Sequence, residues 1–175
     1  MKKIFFVFIL YLLLPLAVQA EYVLPYPSYM PGNTLYKVST FLDKLKGYWY
    51  FGNIAQLKYR MGMADKKLIE SKTLFEYKQY AFAMNAMHES TAQIASIPRL
   101  LESAKEQGID MKKFNAMLCE QMNVHQEVLQ KLQTSLPTVF AWQEEKKDAV
   151  NLQIGEAFDT AMKTRVEVQT QEQCL

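Results

Sequence analysis

The sequence predicts an all-α fold, a bundle of four to five amphipathic helices preceded by an extended Pro/Tyr-rich strap and a cleaved signal peptide. Three observations carry this prediction. Apolar residues recur at steps of three and four through most of the chain, whereas no long run alternates with period two. Prolines and glycines cut the chain into those periodic pieces. Finally, Pro25, Pro27 and Pro31 crowd one segment near the start, where each fixes its own φ and biases its predecessor away from helix.

The first element is the leader. Lys2 and Lys3 precede an apolar run from Ile4 to Leu14, then Pro15, and Val18-Gln19-Ala20 places small residues where a signal peptidase cuts. The run is shorter than the roughly 20 residues of a bilayer span, so the expectation is cleavage after Ala20 and no stable membrane span afterwards. The domain organisation is then signal peptide 1–20, strap 21–33, helical domain 34–168 and flexible tail 169–175, and the protein is extracytoplasmic, either periplasmic or secreted. Removing residues 1–20 takes away two lysines and no acid, leaving equal numbers of basic and acidic side chains. Net neutrality argues against nucleic acid and against an anionic membrane as partners, since both favour concentrated basic charge.

The strap interleaves Tyr22, Tyr26 and Tyr29 with its prolines, which suits a segment lying on a surface. Gly32 and Asn33 offer a turn and an N-cap for a first helix over about 34–51, whose Tyr48-Trp49-Tyr50-Phe51 end is expected to pack in the core or against another helix. The same aromatics, from Tyr22 to Phe51, could instead stack on a glycan or peptide.

A second helix, about 54–76, aligns Ile54, Leu57, Met61, Ala64, Leu68 and Phe75, with one turn missing at Ser71. Lys58, Arg60, Asp65, Lys66, Lys67, Glu70 and Lys72 are read as its solvated side. A third helix starts near Tyr77 and is kinked or split at Pro98. Asp110 caps a fourth, whose face carries Met111, Phe114, Leu118, His125, Val128 and Leu132 and which Pro137 stops. The last helix is expected from about Thr138 to Val168, with a weaker stripe through Ile154, Ala157, Phe158 and Ala161.

The chemistry-bearing motifs are sparse. His88 and His125 are the two histidines, and the sequence has no nucleophile elbow, zinc-protease helix, P-loop or dinucleotide fingerprint. A carboxylate-bridged di-iron bundle needs Glu three residues before His, but Asn85 and Met122 hold those places. The chain is therefore read as no enzyme, with no catalytic or cofactor-binding residues and no cofactor. Its one metal candidate is Met84, Met87 and His88, two thioethers and an imidazole within about one helical turn, a set suited to Cu(I). Methionines at that spacing serve equally as core. Cys119 and Cys174 are a disulfide candidate in an oxidising compartment, with a buried free Cys119 and an exposed Cys174 as the other arrangement.

Leu24-Pro25-Tyr26-Pro27, then Pro31, then Leu35-Tyr36, followed by a helix carrying Ala64-Asp65-Lys66-Lys67-Leu68, resembles a family of exported bacterial proteins classed as a domain of unknown function. The resemblance covers about Tyr22 to Ile97. It implies an extracytoplasmic helical protein and carries over no activity, cofactor or catalytic residue. The function expected is an interaction or scaffold role with an unknown protein or other envelope component. The alternative is a periplasmic soft-metal-binding or stress-sensing bundle.

Overall fold

The structure is a computed structural model describing residues 22–27, 29–143, 145, 146 and 148–174. The leader, with its cleavage site, lies outside the described residues. The chain is mostly helical: α1 (Thr34–Trp49), α2 (Asn53–Glu76), α3 (Tyr80–Ala95), α4 (Ile97–Glu106), α5 (Lys112–Gln133) and α6 (Ile154–Gln171), with a short hairpin of β1 (Val139–Trp142) and β2 (Val150–Gln153) ahead of α6. Among the described residues, no helix is long and apolar enough to cross a membrane.

Local chemistry sets most boundaries. Asn33 caps α1 by accepting the Leu35 N–H. Gly52, at φ 84°, takes a conformation that a side chain would strain and lets the backbone turn into α2. Pro98 splits the predicted third helix into α3 and α4, standing in the first turn of α4 where its missing N–H breaks no helical bond. Asp110 accepts the Lys112 N–H at the start of α5.

The long helices α2, α3, α5 and α6 pack around two apolar layers. One gathers Leu68, Phe75, Tyr80, Met87, Leu129 and Phe158, with Phe75 and Phe158 rings 5.3 Å apart. The other gathers Leu57, Met61, Ile94, Leu118, Met122 and Val168, together with Ile97 and Leu101 of α4. Each of the four helices crosses both layers, and between them each contributes a polar residue: Asp65, Ser90, His125 with Gln121, and Arg165, all buried.

Four expectations are corrected. Residues 139–153 form a hairpin, and α6 begins at Ile154. Phe140 faces Leu152 in the antiparallel register, both pack on the first apolar layer, and the Phe140 ring meets Tyr80 edge-on at 4.5 Å. A four-residue strand is too short for its alternation to compete with helical spacing. The aromatic end expected in the core or against another helix is not core, since α1 buries no residue and Tyr48, Trp49 and Phe51 are exposed, but Tyr50 does meet α2, its ring 5.4 Å from that of Tyr59. The charged side of α2 is not wholly solvated, because Asp65, Lys67 and Glu70 are buried. Of the segment expected as a flexible tail, residues 169–171 are the last turn of α6, and Gln169 and the C-cap residue Glu172 are buried.

Candidate functional site

Where apolar stripes on four helices are interrupted at the same level, the interrupting groups must satisfy one another, since an unpartnered polar group in a core costs a few kcal/mol. Apart from the buried Oε1 of Gln121, they do so through a chain of hydrogen bonds. Asp65 Oδ1 accepts from His125 Nε2 at 2.7 Å and from Gln121 Nε2 at 2.5 Å. On the other side of the imidazole, Arg165 Nε donates to His125 Nδ1 at 3.2 Å. The guanidinium also donates to the Ala161 carbonyl at 2.9 Å, to Ser90 Oγ at 2.9 Å and to Thr91 Oγ1 at 3.3 Å. Ser90 Oγ passes the chain on to the Ala64 carbonyl.

This geometry assigns the tautomer. A guanidinium only donates, so Nδ1 must be the bare nitrogen and Nε2 carries the proton given to Asp65. The ring is neutral, with a carboxylate on one side and a cation on the other. Burial pushes the His125 pKa below its ordinary value, and the Arg165 charge adds to this against the opposing pull of Asp65. Burial likewise lowers Arg165 to about 10, against the raising effect of Asp65, which still leaves it cationic at neutral pH.

The strap closes the array. Tyr22 OH donates to Asp65 Oδ2 at 2.5 Å, and its backbone N–H donates to Glu120 Oε1 at 2.9 Å. Burial and the Asp65 hydrogen bond raise the Tyr22 pKa. Leu24 and Met30 pack on the first apolar layer. The other strap tyrosines do not follow: Tyr26 is 96% exposed, and Tyr29 is exposed too. Asp65 thus has acceptor positions filled from α5 and from the strap.

A second polar cluster ties α1 to the body. Lys67 Nζ sits 2.9 Å from Glu70 Oε2 and 2.8 Å from Glu89 Oε2. Burial disfavours the ammonium, but the two carboxylates outweigh it and raise the Lys67 pKa. Tyr36 OH donates to Glu70 Oε1 at 2.7 Å.

Met84, Met87 and His88 border one groove of about 310 Å³, shared with Thr91, Gln153 and Glu156. Met87 is 1% exposed and belongs to the first apolar layer, Met84 is half-buried against that layer, and His88 is exposed. Cys119 and Cys174 are joined by a disulfide, which fastens the end of α6 to α5. Beside it, Asn115 Nδ2 donates to the Glu172 carbonyl.

Sequence reasoning placed His125 on the apolar face of its helix but missed Asp65, Gln121 and Arg165. A signal existed. Phe158, Ala161 and Val168 mark an apolar face on α6 on which Arg165 occupies a core position, and Asp65 follows directly on core residue Ala64.

Neither curated proteins nor solved structures yielded a match to the chain. A family model, described as a domain of unknown function (DUF5667), matches residues 28–139. That span runs from the strap to the start of β1. It contains Asp65, Ser90, Gln121 and His125, and leaves Tyr22, Arg165 and Cys174 outside. The match covers more than half of the chain, which therefore belongs to the DUF5667 family.

Proposed function

We propose that this is an exported, non-enzymatic domain that works through contacts in the cell envelope. The observation that carries the reading is α1. It is held by polar bonds, buries no side chain, and leaves Phe41 and Trp49 at 65% and 70% exposure, with Phe51 just beyond its end at 81%. Exposed aromatic surface of that extent is uncommon without a partner. The charged groups of the interior support the non-enzymatic part, because Asp65, His125 and Arg165 satisfy one another beneath a strap. The leader sequence supports export, and the Cys119–Cys174 bond suits an oxidising compartment.

Two measurements test this. Fractionation with mass spectrometry should recover a chain beginning at Glu21, outside the cytoplasm and with Cys119 and Cys174 oxidised. A cytoplasmic chain retaining residues 1–20 would overturn the export reading. Immobilised chain from Glu21 should retain an envelope component that a Phe41→Ser/Trp49→Ser variant loses. Equal retention by the two would remove α1 as the contact surface.

The groove bordered by Met84, Met87 and His88 keeps a soft-metal role as the second reading. Its weakness is that packing already employs Met87. Titration with Cu(I) against a competing chelator decides it, and no binding tighter than micromolar removes it.

A further inference from the structure

Helix α1 is mounted with its polar side inward. Tyr36, Ser39, Asp43 and Gly47, spaced three or four apart, share one face, and each engages α2. Tyr36 donates to Glu70, Lys66 Nζ donates to Ser39 Oγ and pairs with Asp43, Tyr59 OH donates to the Asp43 carbonyl at 2.9 Å, and Gln56 Nε2 donates to the Gly47 carbonyl at 2.9 Å. Glycine at 47 permits this approach, since a Cβ there would lie 3.0 Å from the Tyr59 hydroxyl oxygen.

The arc facing away from α2 holds Leu35, Val38, Phe41, Leu42 and Trp49, all exposed. At 3.6 residues per turn, Lys37 and Lys44 fall along one border of that arc and Lys46 along the other, and all three are exposed. Asp43, the sole acid in α1, lies on the inner face and is paired with Lys66. Charge balance over the chain from Glu21 therefore hides a local excess: the outward side of α1 is apolar in the middle and cationic at both edges.

That pattern identifies the occupant. Lysines flanking an apolar arc can lay their methylene stems along it and raise their ammonium groups to a negatively charged plane, while tryptophan favours the boundary between hydrocarbon and headgroups. A second copy of the same face would bring lysines toward lysines with no acid to receive them, which opposes self-association. We propose that α1 is an interfacial helix by which the protein lies on an anionic phospholipid surface. The proposal deepens the envelope-contact reading on which it rests, and names the partner as lipid.

The test is co-sedimentation of the chain from Glu21 with vesicles of phosphatidylglycerol and phosphatidylcholine, against phosphatidylcholine alone. The expected result is binding to the anionic vesicles that weakens at high salt, with a blue shift of Trp49 emission in a Trp142→Phe background. Reversing Lys37, Lys44 and Lys46 to Glu should weaken binding at least about tenfold, because each lysine near an anionic leaflet contributes on the order of a fivefold factor. None of these side chains is buried, and circular dichroism would verify that the variant is folded. No binding of the wild-type chain to anionic vesicles, or equal binding by the reversed variant, would overturn the proposal. A vesicle-independent dimer abolished by Phe41→Ser/Trp49→Ser would instead assign the face to a second copy. If vesicles fail while α1-dependent retention of an envelope protein persists, the lipid assignment falls and the wider contact reading stands.

Discussion

Asp65 and Arg165 are joined through the neutral ring of His125, whose Nε2 lies 2.7 Å from the carboxylate and whose Nδ1 lies 3.2 Å from the guanidinium. The pair is a salt bridge with an imidazole inserted, set between two apolar layers, and its neutrality as a unit is what makes its burial tolerable. A buried charge is costly alone and much less so when paired and hydrogen-bonded.

Breaking one end should therefore cost more than removing both. Arg165→Met leaves Asp65 and His125 without their cation, and Asp65→Leu leaves the guanidinium uncompensated. Each is expected to lower unfolding free energy by about 3–5 kcal/mol. The double variant should recover part of the summed loss, with a coupling of about 1–3 kcal/mol read from urea melts. Strict additivity would show that the bridge carries no coupling.

Stability should fall with acid in the range where histidine titrates. The folded pKa of His125 is lowered, so between the ordinary value of about 6.5 and that lower value the unfolded chain takes up a proton that the native state refuses. Stability is then full above about pH 6.5 and declines below it, with a limiting slope of about 1.4 kcal/mol per pH unit for one proton. Urea midpoints from pH 7.5 to pH 5.5 measure this as about two units of acidification, and His125→Gln should flatten the profile. An equally steep profile in that variant would place the titration elsewhere.

The strap should depend on one hydroxyl. Tyr22→Phe keeps the ring and deletes the donor to Asp65 Oδ2, with an expected loss of about 1–2 kcal/mol. Limited proteolysis near Tyr26 and Tyr29 should accelerate in step. Unchanged cleavage would mean that Leu24 and Met30 alone hold the strap.

Reduction of the disulfide should loosen the end of α6. Cys119 and Cys174 are 55 positions apart, and closing a loop of that length restricts the unfolded chain by about 4 kcal/mol in the chain-entropy account. A drop in urea midpoint on reduction, matched by a Cys119→Ala/Cys174→Ala variant, is the expected outcome. Hydrogen exchange should quicken first around Gln169 and Glu172.

The helices α1 to α5 were legible because their signals are local. Asn33, Gly52, Pro98 and Asp110 act on the backbone within a few residues, and a three-four apolar step over five turns has little competition. Those steps also predicted most of the buried face of α2. The hairpin before α6 was not legible, because Phe140 and Leu152 become strand residues only by pairing with each other and packing on Tyr80.

The inversion of α1 was hidden for a related reason. Leu35, Val38, Leu42 and Trp49 look like a core stripe, and only the hydrogen bonds from Tyr59, Lys66 and Gln56 reveal which side of the helix faces α2. Sequence by itself determined most of the boundaries of α1 to α5, since those choices are settled by φ restrictions and by orphan backbone groups near each end. Tertiary structure decided what each polar residue is for. Asp65 was indistinguishable from its solvated neighbours until His125, Gln121 and Tyr22 arrived from distant parts of the chain, because the energy of a charge is set by the partners and dielectric around it.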